Sequence, residues 1–164
     1  MRLTYIVASC GAMAFVMSAE SVLAEDGKAM PGSACQATFF SGLQPLFRIG
    51  AVISSSGSDN VSVTCPVVKD IEAGRIKRAE VMVIDRNPNA GADIGCTLTT
   101  FKKDGTVHQS QERKSNNSFN VALPLSFGAQ TAALQGSYSL VCTLPPMVAS
   151  SGPSSIVMYN VVEE

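Results

Sequence analysis

The 164-residue sequence contains no tryptophan and only one histidine, His108. It also has no His-Glu-x-x-His segment and no Cys-x-x-Cys pair, which are spacings typical of zinc sites. No Gly-x-Ser-x-Gly segment is present to carry a serine nucleophile, and nothing in the sequence marks a carboxylate that would orient His108. These absences predict a protein that is not an enzyme and uses no cofactor.

An excess of charge is missing as well. The chain has 12 lysines and arginines against 13 aspartates and glutamates, which gives a formal net charge of −1. Nucleic acids and anionic membranes are bound by basic patches, so neither is expected as a partner. After residue 24 no apolar run approaches the roughly 20 residues that a membrane-spanning helix needs, and we expect no membrane span in the mature chain.

The first 24 residues have the layout of a cleavable secretory signal. A positive start at Met1-Arg2 precedes an almost wholly apolar or small stretch, residues 3–17, and the segment ends in Val22-Leu23-Ala24 before two acidic residues. Small and branched residues at this place are typical of signal-peptidase sites. We expect cleavage after Ala24 and a mature protein in the bacterial periplasm or outside the cell.

Short segments rich in Val, Ile, Thr, Phe and Tyr follow a polar stretch, residues 25–33, which we expect to be a flexible tail. The candidate strands are 34–40, 46–53, 60–67, 77–85, 95–103, 106–113, 118–124, 136–144 and 155–162. Their regular spacing, without a sustained helical period, predicts an all-β fold. We therefore expect residues 34–164 to form a single antiparallel β-sandwich of about 7–9 strands.

One hairpin is marked by Asp104-Gly105, a pair that favours a type I′ turn. In that register Lys103 faces Thr106, Phe101 faces His108, and Thr99 faces Ser110. The return strand, residues 106–113, is polar on both faces. Since polar and charged side chains discourage pairing with other molecules, we place this strand at a sheet edge.

Four cysteines remain once Cys10 is removed with the signal: Cys35, Cys65, Cys96 and Cys142. Strand alternation puts them on core faces, so we expect two disulfides that crosslink the interior. Four cysteines allow three pairings, and the sequence does not choose among them. We favour Cys35–Cys65 with Cys96–Cys142, because each pair then joins neighbouring strands without crossing.

Carboxylates are the remaining source of site chemistry. Oxygen side chains recur at every second residue in one loop, which makes Asp85, Asn87, Asn89 and Asp93 a calcium candidate. The glycine and the twelfth residue do not match an EF-hand loop, and Asn, Pro and Gly are ordinary turn residues. Two acidic pairs, Asp70/Glu72 and Glu163/Glu164, leave a carboxylate-dependent hydrolase as an alternative, although solvated charge explains them more simply.

Binding is the function class that the sequence favours. Most aromatic residues fall at alternating strand positions and are expected in the core, with Tyr159 and Phe101 kept as candidate contact rings. We expect a non-enzymatic module that binds a protein or a glycan at the cell envelope, and such a module should expose an aromatic or apolar patch on one sheet face. An inert structural component of the envelope is the other alternative.

The cysteine segments resemble those of a group of exported bacterial proteins with a four-cysteine β-sandwich pattern and no assigned activity. The matching segments are Ala34-Cys35-Gln36, Thr64-Cys65-Pro66, Cys96-Thr97-Leu98, Tyr138-Ser-Leu-Val-Cys142-Thr-Leu-Pro145 and Tyr159-Asn-Val-Val-Glu163. The shared motifs are cysteines, strands and turns, so the resemblance implies a fold and an exported location and assigns no functional residue.

Overall fold

The computed structural model of the chain describes residues 26–38, 46–49, 52–55, 57–68, 75–131 and 136–164. The expected signal segment, residues 1–24, lies outside these ranges, as do Asp70 and Glu72. The strands are β1 (Asp26–Pro31), β2 (Gln36–Ala37), β3 (Leu46–Ile49), β4 (Val52–Ser55), β5 (Val61–Cys65), β6 (Ile76–Ile84), β7 (Gly95–Phe101), β8 (Val107–Lys114), β9 (Ala122–Phe127), β10 (Ser137–Leu144) and β11 (Ser155–Glu163). No helix among the described residues is long and apolar enough to cross a bilayer.

These strands form two antiparallel sheets that pack face to face, which confirms the predicted all-β sandwich. Sheet A has the order β3-β4-β11-β6-β9, and β1 also pairs with β11; sheet B has the order β2-β5-β10-β7-β8. The described strands number 11 rather than seven to nine. One reason is that the predicted segment 46–53 divides into β3 and β4, which pair with Ile49 opposite Val52.

The expected flexible tail is wrong for residues 26–31, because they form β1 and pair with β11 over their whole length. Lys28 points inward, and its Nζ donates to the Glu163 carboxylate at 3.0 Å and to the Val68 carbonyl at 3.1 Å. The segment is polar, so its sequence alone does not predict a strand. It forms one because β11, about 130 residues further along the chain, supplies both the backbone hydrogen bonds and the Glu163 carboxylate.

The core consists of the inward side chains of both sheets, and it contains all four cysteines at 1% exposure or less. Cys96 lies directly opposite Cys142 on β7 and β10, while Cys35, just before β2, is joined to Cys65 on β5. The favoured pairing is therefore confirmed, and each disulfide links neighbouring strands of sheet B. Stable buried disulfides belong to an oxidising compartment, so the protein is extracellular or periplasmic.

The Asp104-Gly105 hairpin is present with a different turn. Gly105 alone has a positive φ there, at 80°; its N–H bonds to the Lys102 carbonyl at 2.9 Å, and Lys102 pairs with Thr106. A type I turn followed by a left-handed glycine adds one residue to the loop. The Thr99–Ser110 pair is confirmed, but the predicted Phe101–His108 pair is wrong, because a bulge places Phe101 opposite Val107.

Strand β8 lies at the edge of sheet B, as predicted. Its alternate side chains reach across to β9 and the residues just after it: Arg113 Nε donates to the Ser126 carbonyl at 2.9 Å, and Gln111 Oε1 accepts from the Gly128 N–H at 3.1 Å. Gln109 Oε1 likewise accepts from the Thr131 N–H at 3.2 Å. These polar side chains form hydrogen bonds with backbone groups at the edge of sheet A. They therefore connect the two sheets along one side of the sandwich.

Candidate functional site

The calcium candidate forms a hydrogen-bonded loop anchor around Asp85, which is 2% exposed. Its Oδ1 accepts from the Asn87 N–H and the Ser154 hydroxyl, both at 3.0 Å. Its Oδ2 accepts from the Ile94 N–H at 3.1 Å and the Ser115 hydroxyl at 2.5 Å. Two donors on each oxygen account for most of the carboxylate's acceptor capacity.

The other members of this candidate also face donors. Asn87 Oδ1 accepts from the Asn89 N–H at 3.0 Å, and Asp93 Oδ1 accepts from the Asn117 N–H at 2.7 Å. Among the described residues there is no cluster of three or more His, Cys, Asp or Glu side chains that could hold a metal ion. These hydrogen bonds connect the β6–β7, β8–β9 and β10–β11 loops at one end of the sandwich. The role of the Asp85 cluster is therefore structural.

The histidine and the two terminal carboxylates have separate structural partners among the described residues. The Nε2 atom of His108, on the exposed edge strand, is 3.2 Å from the Thr131 hydroxyl oxygen. Glu163 was expected to be solvated, but it is fully buried beside Lys28, whereas Glu164 pairs with Arg75 and Lys77 on the surface. The two terminal carboxylates therefore have different structural partners.

Tyr159, a candidate contact ring, belongs to the core and is 1% exposed. Its hydroxyl donates to the Pro66 carbonyl at 2.7 Å. A shallow depression beside it, lined by residues of β1 and β11 and by residues 66–68 after β5, has about 170 Å³ of space that is partly open to solvent. Ligand pockets usually measure roughly 300–1,000 Å³, so this depression is not a ligand site. Phe101 is half-buried on the outer face of sheet B.

An alkaline titration checks the environment of the tyrosines. Burial raises the pKa of Tyr159 to about 12, and burial together with the Glu163 carboxylate raises the pKa of Tyr138 to about 12. In the unfolded chain both ionise near pH 10. Tyrosine protonation therefore stabilises the fold fully below pH 10, and this stabilisation is lost between pH 10 and 12.

We expect the tyrosinate absorbance of a chain without residues 1–24, which has no other tyrosine, to rise near pH 12 when folded. In denaturant it should rise near pH 10. A native midpoint at pH 10 would contradict the burial of both rings.

The outer face of sheet A carries an apolar row that crosses four strands. Met158 lies opposite Pro31 on one side and opposite Met82 on the other, and Met82 lies opposite Pro124. The neighbours of these residues along each strand, among them Tyr159 and Val81, point into the core, so the row points outward. We call Pro31, Met158, Met82 and Pro124 the apolar row.

The apolar row is open to solvent. Met158 is 40% exposed, Pro31 and Pro124 are exposed, and Met82 is half-buried. Beside it Ile84 lies opposite Ala122, which extends the uncharged surface by a second pair. Phe119 and Val121, in the segment leading into β9, are 47% and 60% exposed. A charged or polar row formed by Glu80, Asn160 and Ser126 borders the opposite side.

The sequence did not reveal this surface. Its members come from β1, β6, β9 and β11, and Val81 to Ile84 reads as one continuous apolar run. Such a run does not show which residues face outward until the register is known. Pro124 was the one available signal, because proline within a strand is typical of an edge position.

No protein-family model matches the sequence, and no curated protein matches it. Several solved structures are similar to this chain. A xylan-binding module, CBM15, has a TM-score of 0.50 and 8% identity over 84% of this chain and 96% of its own. A low-affinity xylan-binding module, CBM86, from Roseburia intestinalis has a TM-score of 0.48 and 8% identity over 85% of this chain and 96% of its own.

A family two carbohydrate esterase from Cellvibrio japonicus has a TM-score of 0.46 and 9% identity, and the match covers 85% of this chain. The chain spans 34% of that esterase's length. At these identities the likeness concerns the β-sandwich fold alone.

Proposed function

We propose that the mature protein is a non-enzymatic binding module of the bacterial envelope and that it binds a protein partner through the apolar row. The observation that carries this proposal is an uncharged apolar surface across four neighbouring strands on the outer face of one sheet. The layout of residues 1–24 and the two disulfides support export to the periplasm or beyond.

Energetics favour a protein partner for this row. Complete burial of a methionine side chain contributes roughly 1.5–3 kcal/mol, so covering the row repays part of the entropy lost on association. Unbranched methionines also adapt to the shape of a partner, and they are frequent on such surfaces. The row contains no aromatic ring, which is the usual apolar contact of sugars, so we favour a protein over a glycan at this place.

Two alternatives have less support. A carboxylate hydrolase would use acidic groups, but Asp85 and Asp93 are hydrogen-bonded to loop N–H and hydroxyl groups, and Glu163 is buried. An inert structural component gives no reason for an apolar row facing solvent. Surface positions of that kind usually carry charged or polar side chains.

The substitution Met158→Glu tests the proposal. A carboxylate in the middle of the row would be desolvated on binding without a counter-charge, so capture of the partner should fall at least tenfold, or about 1.4 kcal/mol. The measurement is quantitative recovery of crosslinked partner from envelope extract with tagged protein lacking residues 1–24.

The matched control is Ser58→Glu, which adds the same charge at an exposed loop position far from the row in sequence. The control should capture the partner as well as the unmodified protein does, and both variants should keep the melting temperature of the parent. Equal capture by Met158→Glu would rule out the apolar row as the binding surface.

A further inference from the structure

The opposite side of the sandwich, the outer face of sheet B, carries hydroxyl groups in place of apolar side chains. Three rows of outward side chains lie on β5, β10 and β7, and the middle row crosses all three strands: Thr64 lies opposite Val141, which faces Thr97. On either side of it Ser62 lies opposite Thr143, and Ser139 lies opposite Thr99. Neighbouring strands are about 4.8 Å apart, and residues two apart on a strand are about 6.8 Å apart. We call these outward side chains the hydroxyl face.

Cross-strand hydrogen bonds order this face. The hydroxyl oxygens of Ser62 and Thr143 are 3.3 Å apart, and those of Thr99 and Ser110, on β8, are 3.2 Å apart. At the other edge Thr38 and Thr64 form a third pair at 3.1 Å. A hydroxyl group has one proton and two lone pairs, so each bonded pair keeps acceptor capacity that points outward. Groups already fixed in this way lose little entropy when a ligand binds.

Charge is absent from the outward positions of the three central strands. On β5, β10 and β7 these positions hold Ser, Thr, Gly, Val141 and Phe101. Charged side chains begin on the edge strand β8, where Lys114 and Glu112 pair with each other at 3.3 Å. An anionic ligand would find no counter-charge over the centre of the face, whereas a neutral ligand can cover it without desolvating an ion.

We propose that the hydroxyl face binds an uncharged polysaccharide chain lying across β5, β10 and β7. Sugar hydroxyls both donate and accept hydrogen bonds, as the Ser and Thr hydroxyls do, and the half-buried Val141 and Phe101 side chains offer apolar contact to the ring faces. This site is on the other sheet from the apolar row and does not depend on it, so either proposal can fail while the other stands.

Affinity electrophoresis of the disulfide-bonded protein without residues 1–24 tests the inference. The probes are three neutral polysaccharides, xylan, a mixed-linkage glucan and a galactan, and one anionic polysaccharide, polygalacturonate. We expect at least one neutral polymer to slow migration and polygalacturonate to have no effect. Migration unchanged in every neutral polymer, or slowed most by polygalacturonate, overturns the proposal.

Substitutions test whether the hydroxyl face causes the retardation by neutral polysaccharides. Thr97→Glu should weaken retardation at least tenfold, because it places a charge in the middle row, while Met158→Glu on the opposite sheet should leave it unchanged. Thr97→Val removes the hydroxyl with little change of shape and serves if Thr97→Glu fails to fold; it should weaken retardation severalfold. If a folded Thr97 variant is retarded as strongly as the parent, the hydroxyl face is not the binding site. The same conclusion follows if Met158→Glu loses as much retardation as the Thr97 variant does.

Discussion

Replacing Asp85 by alanine should lower the free energy of unfolding by about 4 kcal/mol. The buried carboxylate accepts four hydrogen bonds, from Asn87, Ile94, Ser115 and Ser154, and alanine removes all four. The Ile94 N–H and the Ser115 hydroxyl each keep a second acceptor, at Ser115 Oγ and Asp93 Oδ1, whereas the Asn87 and Ser154 donors lose theirs. Each buried donor left unpaired costs about 1–3 kcal/mol, although water entering the space satisfies some of them. Against a typical total of about 5–15 kcal/mol, this is the largest effect we expect from a single side chain outside the cysteines.

Urea denaturation at neutral pH measures the effect, with Asp85→Asn and Asp59→Ala beside it. Asp85→Asn keeps the shape and one acceptor oxygen, so about half of the loss should remain. Asp59 is exposed in a loop, and its replacement should change stability by about 0.5 kcal/mol or less. Equal midpoints for Asp85→Ala and Asp59→Ala would show that the loop anchor does not stabilise the fold.

Removing the Cys96–Cys142 disulfide with a double alanine substitution should cost about 4 kcal/mol in the chain-entropy model. The bond closes a sequence separation of 46 residues between β10, the middle strand of sheet B, and its neighbour β7. Removing Cys35–Cys65, with a separation of 30 residues at the edge of the sheet, should cost slightly less. Cavities left by the lost sulfur atoms add to both values.

Thermal unfolding of the two double variants under non-reducing conditions measures the difference. The variant lacking Cys96–Cys142 should melt lower than the variant lacking Cys35–Cys65, and both should melt lower than the parent. Because all four sulfurs are disulfide-bonded, free-thiol labelling of the parent should find none of these cysteines, folded or denatured. The reverse order of melting would assign the main stabilisation to the edge of sheet B.

The parts of the fold that sequence reasoning predicted are those in which local pattern and burial agree. Strand β5 alternates Val61, Val63 and Cys65 with polar residues, and these three side chains are buried. Strand β10 behaves in the same way at Leu140, Cys142 and Leu144. Where one face of a strand is polar, alternation identifies the core residues and places the cysteines on the core face, while their pairing depends on which strands are neighbours.

The features of the fold that sequence reasoning missed depend on contacts between residues that are distant in sequence. Lys28 and Glu163 stabilise β1 from the two ends of the described chain, and no local pattern marks residue 28 as a strand position. The bulge that shifts Phe101 depends on one residue added at the Gly105 turn, which the Asp-Gly signal does not distinguish from a two-residue turn. The apolar row has the same origin, since its members meet only through the pairing of four strands.

The positions of the two disulfides give the domain a mechanical asymmetry. Both bonds crosslink sheet B, and sheet A is held by ladders, side-chain packing and the Lys28–Glu163 pair without a covalent tie. A partial opening that separates β1 or β9 from sheet A therefore breaks no covalent bond, while neighbouring strands of sheet B stay joined. We therefore expect sheet A, which carries the exposed methionines, to open more readily than sheet B, in which two pairs of neighbouring strands are joined by disulfides.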